Sequence, residues 1–544
     1  MTPIDLDTLD SRLVMRAVDT ELKRQNDEKR ARHPEFVIEI LDNEYGGHGE
    51  ITDYISANIV WKRNATSTGT IVLNGDDPLG AYAMRCRTTV VPIIAEVNGY
   101  KWTGRVDTAS WDLVDGVATY TLQLISDWQW FHRILVWPNF LLPIQFQVPK
   151  EAIYIGPACT VLAAMCFEQA IRLQLGLWEV VNNILNPAAW FATAVMKEGL
   201  LTPIAVVPIN PLTDTSKWVA ISGRMDTVAT LSEQVCKDNG IDLSAEAWRP
   251  GDPQPCPQWY TLNEACVVVR IKDKSGVTGP TGTIVDGLIK EAVDIADGML
   301  GEILDPFADS EYRPEGINLA PAFGVNWVRP WTVLLPDVPR SGIKECHITE
   351  HHPLAYTVVG GGRSPSWVNK IIDVIFELIL SEILTVLGAA GISSTLLDGL
   401  FDNIILAFQQ IENAKRRFKL GRFGFPEFFT GTGSTAYTLD EFFALEIAMW
   451  DTRGYTSCQA VMYDGIPYSL GRDYQNGDLM SWIHAGKLYT DYITEIDATD
   501  DRNERVTVLT KIGDGSAQES PWAKLQRQLS GFKSAMQIAM LSSN

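Results

Sequence analysis

The chain has 544 residues, which is too long for one hydrophobic core and predicts about three to five domains. Hydrophobic residues make up 46% and charged residues 21%, proportions that are ordinary for a folded globular protein. The formal net charge is −22, from 67 acidic against 45 basic residues, which argues against sequence-independent binding to nucleic acid.

Two segments with different hydrophobic periods open the chain. Residues 1–34 carry leucine and valine at roughly helical spacing, which predicts a charged amphipathic helix. From residue 35 the period changes to two, and the best-marked strands lie in residues 91–127. Asn98-Gly99 favours a type I′ hairpin turn there, and residues 114–116 supply a second turn. The pattern predicts an antiparallel meander with one buried face.

The middle of the chain mixes several element types. Residues 150–212 contain a long apolar run that predicts a buried helical segment. Residues 213–365 alternate helical and strand patterns, which predicts a mixed α/β domain. Its best-marked pieces are a helix that ends at Gly240 and a buried strand over residues 265–273.

Residues 366–420 differ from the rest, because apolar residues at helical spacing predict an apolar helical hairpin. A membrane span needs about 20 residues with almost no charge. This segment carries Asp373, Glu377 and Glu382, so a hairpin packed within an oligomer is preferred and membrane contact is the alternative.

Residues 421–515 predict a second antiparallel β region, with Ala485-Gly486 at the turn of its hairpin. The order turn, Lys, aromatic, Thr and long strand is shared with residues 98–126. This order indicates two similar β units near opposite ends of the chain. Residues 516–544 predict a C-terminal amphipathic helix.

One stretch has a catalytic pattern. His347, Glu350 and His351 match H-x-x-E-H, in which two His on one helical face hold zinc and the Glu acts as a base. That geometry needs a helix, whereas Pro353 and the flanking sequence favour extended chain. In a strand the two His positions share a face but lie about 13 Å apart, which is too far for one metal ion.

No other motif points to an enzyme. The glycines at residues 360–362 lack the Walker pattern, and no G-x-S-x-G elbow is present. The sequence therefore predicts no catalytic, cofactor-binding or metal-binding residue. The eight cysteines form no Cys-x-x-Cys pair, and Cys159 and Cys166 lie in an apolar run, which favours buried free thiols in a reducing compartment. The N-terminus has no apolar signal core, so no secretion signal is predicted.

Three stretches carry a resemblance to a known family. They are "NGYKWTGRVD" at residues 98–107, "EHHPLAYTVVGGGRSPSWVN" at 350–369 and "GRDYQNGDLMSWIHAGKLYTDYITEIDATDD" at 471–501. In this order they resemble the minor tail proteins of actinobacterial, mycobacteriophage-like siphophages, of the class that forms the central baseplate hub. The resemblance covers most of the chain, from about residue 35 to residue 515.

The resemblance implies an α+β, multidomain fold. Two related antiparallel β-barrel hub domains, at residues 35–149 and 421–515, would enclose the helical and mixed α/β domains between them. It also implies a homotrimer at the tail tip of the virion, synthesised in the cytoplasm of the bacterial host. Three chains with two similar units each would present six faces to a sixfold ring.

The resemblance also implies partners. They are the distal tail protein ring, the tape measure protein, and other minor tail proteins or fibres, with opening of the hub for DNA ejection. No sequence-specific nucleic-acid binding is implied, and residues 366–420 are a candidate contact with the host envelope. The alternative function is a tail-associated zinc peptidoglycan hydrolase that uses the stretch "HITEH" at residues 347–351.

The outward faces of the two β units are the predicted assembly interface. The candidate aromatic anchors on these faces are Trp102, Trp111, Trp482 and Tyr492. The alternative is that these side chains fill the core of their own unit, because large aromatic residues serve both roles.

Overall fold

The computed structural model describes residues 36–175, 202–304, 311–338, 341–359, 410–430, 439–465, 467–501, 506–527 and 530. Within these ranges the protein is a mixed α+β fold with mainly antiparallel sheets. The predicted helix at residues 1–34 and most of the predicted hairpin at 366–420 lie outside the described residues.

In chain order, the strands of the N-terminal half are β1 (Phe36–Leu41), β2 (Gly47–Glu50), β3 (Tyr54–Lys62), β4 (Thr68–Asn74), β5 (Pro92–Val97), β6 (Tyr100–Val114), β7 (Val117–Ser126), β8 (Ala152–Pro157), β9 (Ile204–Val206), β10 (Trp218–Gly223), β11 (Ile241–Trp248) and β12 (Cys266–Asp273). They continue with β13 (Val277–Thr278), β14 (Glu311–Tyr312), β15 (Asn326–Trp327), β16 (Val333–Leu334), β17 (Ile343–His351), β18 (Thr357–Val359), β19 (Gln410–Glu412), β20 (Glu427–Phe429), β21 (Tyr455–Tyr463), β22 (Leu479–His484), β23 (Lys487–Asp500) and β24 (Thr507–Ile512).

The described α-helices are α1 (Pro78–Ala83), α2 (Trp130–Arg133), α3 (Ala158–Leu175), α4 (Val228–Asn239), α5 (Ile284–Leu304), α6 (Ala414–Leu420) and α7 (Leu439–Asp451). Short 3₁₀ helices cover Met84–Arg87, Asp127–Gln129, Ile144–Phe146, Pro321–Phe323 and Gly421–Phe423. Residues 521–527 are also helical and fall within the predicted C-terminal helix. In the described part of the chain, no helix is both long enough and apolar enough to cross a membrane.

The largest sheet of the described chain has 14 strands and joins the N-terminal and C-terminal β regions. Its main path is β17-β21-β24-β23-β3-β4-β7-β6-β5-β1-β2, and β14, β16 and β22 pair at its side. One face of this sheet buries a core shared by both ends of the chain. Side chains with at most 2% exposure in that core include Ile38, Ile59, Leu122, Met480, Trp482 and Ile512. The two β regions therefore pack around one common core.

The middle of the chain forms a second core around β9, β11 and β12. Helix α4 begins at the N-cap Thr227, whose side chain accepts a hydrogen bond from the amide of Thr230 at 3.1 Å. It ends at Gly240, whose φ of 65° is the left-handed conformation that favours glycine at this position. The predicted helix end at Gly240 and the predicted buried strand, now β12, are both confirmed.

The predicted helical segment at residues 150–212 is wrong in its first part. Residues 152–157 form strand β8, which pairs antiparallel with β10. That partner lies far along the sequence, so the local apolar pattern could not distinguish a strand from a helix start. Helix α3 follows directly, and the side chains of Cys159 and Cys166 on it are buried. All eight cysteines are free in the structure, including Cys159 and Cys166, for which the sequence favours buried thiols.

Residues 410–430 form a small satellite module together with strand β18 and helix α7. Strands β19, β18 and β20 form a three-stranded sheet, and Val358 of this sheet packs on Leu445, Ala448 and Met449 of α7. Arg416 of α6 donates hydrogen bonds to the carbonyl oxygens of Ala355 and Met449, each at 2.8 Å. These contacts fix α6 to the rest of the module.

Candidate assembly interface

Two parts of the large sheet have the same strand order. The first β unit consists of β3 to β7 and runs β3-β4-β7-β6-β5. The second β unit consists of β17 and β21 to β24 and runs β17-β21-β24-β23-β22. In sequence order, each unit has two strands, then a two-stranded hairpin, and then a fifth strand. The two regions that the sequence paired as similar therefore share one topology.

The hairpins of the two units match in their turns. The first turns at Asn98 and Gly99, with φ of 52° and 77°, and the second at Ala485 and Gly486, with φ of 50° and 80°. Two successive positive φ values are typical of a type I′ turn, so the turn predicted at Asn98-Gly99 is confirmed. In both units a long strand follows the turn, namely β6 and β23.

A β-bulge lies at the same step of each long strand. Asp107 is the extra residue in the pairing of β6 with β7, and Thr494 is the extra residue in the pairing of β23 with β24. Each bulge residue lies eight positions after its turn glycine (107 − 99 and 494 − 486). Bulges fix the local bend and register of a strand, so the match extends to the register of both units.

Buried side chains repeat in the same phase. Three residues after each turn glycine is a buried aromatic residue, Trp102 or Tyr489, and four residues after it is a buried threonine, Thr103 or Thr490. The lysines in the shared order of residue types do not have this phase, because Lys101 and Lys487 lie at different distances from their turn glycines. Counted from the turn glycine, Lys487 corresponds to Tyr100.

The two units are joined edge to edge within the chain. Strand β3 of the first unit pairs antiparallel with β23 of the second, in a contact that we name the joint. Its core-side pairs include Trp61 opposite Ile496 and Ile59 opposite Ala498, all at most 6% exposed. The joint begins directly after the bulge at Thr494. Before this bulge β23 pairs with β22, and after it β23 pairs with β3.

Polar contacts close the other face of the joint. The amide of Asn58 donates to Asp497 Oδ1 at 2.5 Å and to Thr499 Oγ1 at 2.8 Å. The hydroxyl of Tyr54 donates to Asp500 Oδ2 at 2.6 Å. The joint thus combines an apolar face with a polar face, as edge pairing within a half-buried sheet requires.

Each unit also has an edge that corresponds to the joint but has no strand paired with it in the described residues. The first free edge is residues 108–114 of β6, beyond the end of β5. The second free edge is the outer side of β17, the terminal strand of the main path. The 3₁₀ helix Met84–Arg87 contacts β6 without pairing with it.

The register of the sheet shows which residues of the free edges correspond to the joint. In each unit, one row of paired residues runs across four neighbouring strands. This row is Ile59, Gly69, Leu124 and Val106 in the first unit, and Cys346, Ala460, Ile512 and Ile493 in the second. Cys346 therefore corresponds to Ile59, and Ile348 corresponds to Trp61. Counted from the bulge, Ala109 corresponds to Ile496 and Trp111 to Ala498.

Equivalent positions are buried in the joint and uncovered at the free edges. Ile59 and Ala498 are fully buried, whereas Cys346 is half-buried and Trp111 is 46% exposed. The joint has a neighbouring strand at these positions, whereas the free edges have none in the described residues. The free edges have the form of two halves of a second joint.

The four predicted anchor residues fall into two groups. Trp102, Trp482 and Tyr492 are at most 4% exposed and lie inside the cores of this chain. Their burial favours the alternative that they fill the cores. Trp111 lies on the first free edge, where its indole donates to the carbonyl oxygen of Gly75 at 3.3 Å, so Trp111 is placed where an interface anchor would act.

The stretch "HITEH" lies in strand β17, so the helix that a zinc site needs is absent at these residues. His351 stacks on Tyr455 with ring centroids 4.1 Å apart, and its Nε2 lies 3.2 Å from Ser457 Oγ. His347 lies beside Glu345, at 3.9 Å. The two imidazoles occupy separate environments on a strand, which disfavours the hydrolase alternative.

One group of three carboxylates lies close enough to hold a metal ion, namely Asp238, Glu315 and Glu519. Basic side chains already neutralise this group. Arg527 contacts Asp238 at 2.8 Å and also pairs with Glu519, while Lys524 lies 3.6 Å from Glu315. This arrangement is an ion-pair network that ties residues 519–527 to α4.

Asp491 is a buried carboxyl on β23, directly before Tyr492. Its Oδ1 accepts a hydrogen bond from the amide of Tyr492 at 2.7 Å, and burial raises its pKa to about 7. An unfolded Asp has a pKa of about 3.9. Between these two values the folded protein holds a proton that the unfolded chain releases, so the free energy of unfolding falls as the pH rises from about 4 to about 7.

An Asp491→Asn variant is expected to lose this part of the pH dependence. The free energy of unfolding of the variant, relative to that of wild type, should increase as the pH rises. The increase should reach up to about 4 kcal/mol at pH 8, since each pKa unit is worth about 1.4 kcal/mol. The measurement is the difference in thermal midpoint between variant and wild type at pH 5 and at pH 8. Glu446, whose pKa burial also raises to about 7, is present in both proteins and cancels. An equal difference at the two pH values would contradict the assignment.

Comparisons with known proteins agree with the tail-protein resemblance. A family model described as Siphovirus ReqiPepy6 Gp37-like protein matches residues 37–514. Minor tail protein Gp28 of Mycobacterium phage L5 is 23% identical over 504 residues, covering 82% of this chain and 83% of that protein. Gp28 of Mycobacterium phage D29 is 22% identical over 503 residues, with the same coverage.

Solved structures show a weaker likeness. The 43 kDa tail protein of prophage MuSo2 from Shewanella oneidensis is similar with a TM-score of 0.36 and 8% identity, over 88% of this chain and 97% of that one. A TM-score at this level does not establish a common fold.

Proposed function

This chain belongs to the family of Siphovirus ReqiPepy6 Gp37-like proteins, and on that premise we propose that it is the trimeric central hub of a phage tail tip. Its role as a phage minor tail protein, a structural component of the tail, follows from the family and from the two Gp28 relatives. The hub would close the tail tube and join the distal tail ring, the tape measure protein and the tail fibres. It would open for DNA ejection.

The observation that carries the proposal is the correspondence between the joint and the two free edges. Within one chain, β23 of the second unit pairs with β3 of the first. Between chains, β6 of the first unit would pair with β17 of a neighbouring copy, in the register that β23 and β3 have at the joint. The two edges are different surfaces, so the contact is heterologous and generates a ring when its rotation closes. Three copies with two units each would give six alternating joints.

The proposed register follows directly from the joint. It places Ala109 opposite Ile348, Ser110 opposite His347 and Trp111 opposite Cys346 of the neighbouring copy. The same register places Asp112 opposite Glu345, and like charges opposite each other in a sheet cost a few tenths of a kcal/mol or more. Burial of Trp111 and of the half-buried Ile348 would outweigh that cost.

The polar face of the sheet suits the wall of a channel for DNA. At the joint this face presents Glu495, Asp497 and Thr499, and both lysines beside it, Lys62 and Lys511, contact Glu495. With its lysines paired to a carboxylate, the face offers little attraction to phosphate. We propose that this face lines the lumen of the ring and lets DNA pass without binding.

The mass of the purified chain in solution tests the proposal. Sedimentation at micromolar concentration is expected to show a species with three times the 60.4 kDa mass of one chain. A ring with threefold symmetry in class averages would support the arrangement. A stable 60.4 kDa monomer over the whole concentration range would contradict it.

A further inference from the structure

Five phenylalanines within a stretch of twelve residues, 418–429, are exposed in the satellite module. The exposed fractions are 88% for Phe418, 96% for Phe423, 61% for Phe425, 37% for Phe428 and 66% for Phe429. Single exposed apolar residues are normal on a protein surface, but a concentration of exposed aromatic residues in a short segment indicates a binding surface. We name this group the phenylalanine surface.

The phenylalanine surface stands on an ordered support. Asn413 caps helix α6 by accepting a hydrogen bond from the amide of Arg416 at 2.9 Å, and Arg416 is bonded to the carbonyl oxygen of Ala355. Strand β20, which carries Phe428 and Phe429, is paired with β18. The backbone that carries these phenylalanines is therefore fixed by the fold.

Exposed basic residues flank Phe418 and Phe423 in the sequence. Lys415, Arg417, Lys419 and Arg422 are all exposed. Residues 410–430 contain five basic and two acidic residues, a local charge of +3 in a chain of net charge −22. Positive charge and exposed aromatic rings are thus concentrated in one small module of an otherwise acidic protein.

We infer that the phenylalanine surface binds an anionic phospholipid bilayer. Phenylalanine enters the boundary between headgroups and acyl chains, while lysine and arginine are attracted to anionic headgroups, and stable attachment takes both signals. Duplex DNA would satisfy the basic residues but would leave the rings in water. The inference goes beyond the proposed hub function and rests on that function only for its biological setting, in which a tail tip meets the host envelope.

Flotation of the full-length chain with vesicles tests the inference. Binding is expected to vesicles of equal phosphatidylglycerol and phosphatidylcholine, and to be much weaker with phosphatidylcholine alone. The double variant F418S/F423S should bind at least about 100-fold more weakly, since burying each ring contributes about 1.5 kcal/mol or more. The double variant K419Q/R422Q should bind about 30-fold more weakly.

Phe146→Ser is the matched control, because Phe146 is 67% exposed but lies on a different surface. This variant should bind vesicles as wild type does. Absence of vesicle binding, or equal binding by wild type and both double variants, would overturn the inference. So would binding to a DNA duplex, lost in the same variants, without vesicle binding. None of these results affects the mass measurement of the trimer, so the two proposals fail separately.

Discussion

A Trp111→Glu variant is expected to remain a monomer of 60.4 kDa at concentrations where the wild-type chain is a trimer. Trp111 corresponds to Ala498, which is fully buried against Ile59 in the joint. In the proposed contact the substituted carboxylate would be enclosed beside Cys346 of a neighbouring copy without a cationic partner. Burying an unpaired charge is costly, and the aromatic contact area is lost at the same time.

The effect on assembly should be large. Loss of a central tryptophan from an interface commonly costs about 2 kcal/mol or more, and the unpaired charge adds to that cost. Each contact between copies should therefore weaken by at least about 100-fold. The fold of the single chain should persist, because Trp111 is 46% exposed and makes one long hydrogen bond, to Gly75.

Trp259→Glu is the control, because Trp259 is 60% exposed and lies outside both free edges. Sedimentation of the two variants at equal concentration separates a specific effect from a general effect of added negative charge. Circular dichroism and the thermal midpoint verify that each variant is folded. A folded Trp111→Glu chain that still forms a trimer would show that β6 is not the contact edge.

Local signals in the sequence were enough to locate the hairpins. Asn98-Gly99 and Ala485-Gly486 determine tight turns, and alternation of apolar and polar residues marks the strands on either side. These features depend on a few neighbouring residues and survive in any tertiary context. They also indicated two similar β units, although the two lysines of the shared order do not occupy equivalent positions.

The sequence pattern did not predict which strands pair when they lie far apart along the chain. The joint connects β3 with β23, strands from opposite ends of the chain, and no local pattern specifies which edge meets which. Strand β17 was assigned by position to the mixed domain at residues 213–365, but it pairs with β21, which lies well beyond that domain in sequence. The candidate interface could not be located before these pairings were known. Trp102, Trp482 and Tyr492 illustrate the same limit, since aromatic residues in a strand face either a core or a partner.

Among the described residues, each chain has two sheet edges with no strand paired to them, on β6 and on β17. An isolated sheet edge invites further pairing, and proteins usually cover or charge such edges. Here β17 is exposed along most of its length, while the inward Cys346 and Ile348 are only half-buried. In the proposed ring one neighbouring copy would cover β6 and the other would cover β17, which would complete at both edges the burial already seen at the joint.

A chain carrying both Ser110→Cys and His347→Cys is expected to form covalent oligomers up to the trimer on mild oxidation. These residues correspond to Asp497 and Val60, which lie directly opposite each other in the joint. The backbone N–H of Arg63 donates a hydrogen bond to the carbonyl oxygen of Thr494 across the joint at 3.0 Å. Hydrogen-bonded and non-hydrogen-bonded pairs alternate along an antiparallel ladder, so the pair of Asp497 and Val60 is a non-hydrogen-bonded one. Such pairs bring Cα atoms to about 4.5 Å, within the range that a disulfide spans.

The cross-link tests the register as well as the contact. Non-reducing electrophoresis should show dimer and trimer bands for the double variant and only monomer for each single variant. Ser110→Cys combined with Lys344→Cys is the matched control, because position 344 lies three residues from the proposed partner, roughly 10 Å along the strand. The cysteines are introduced into a Cys346→Ser background, since Cys346 lies next to the engineered site and is not fully buried. Equal cross-linking by both double variants would show random collision, and cross-linking by the control alone would require a different register; either outcome would refute the joint as the pattern for assembly.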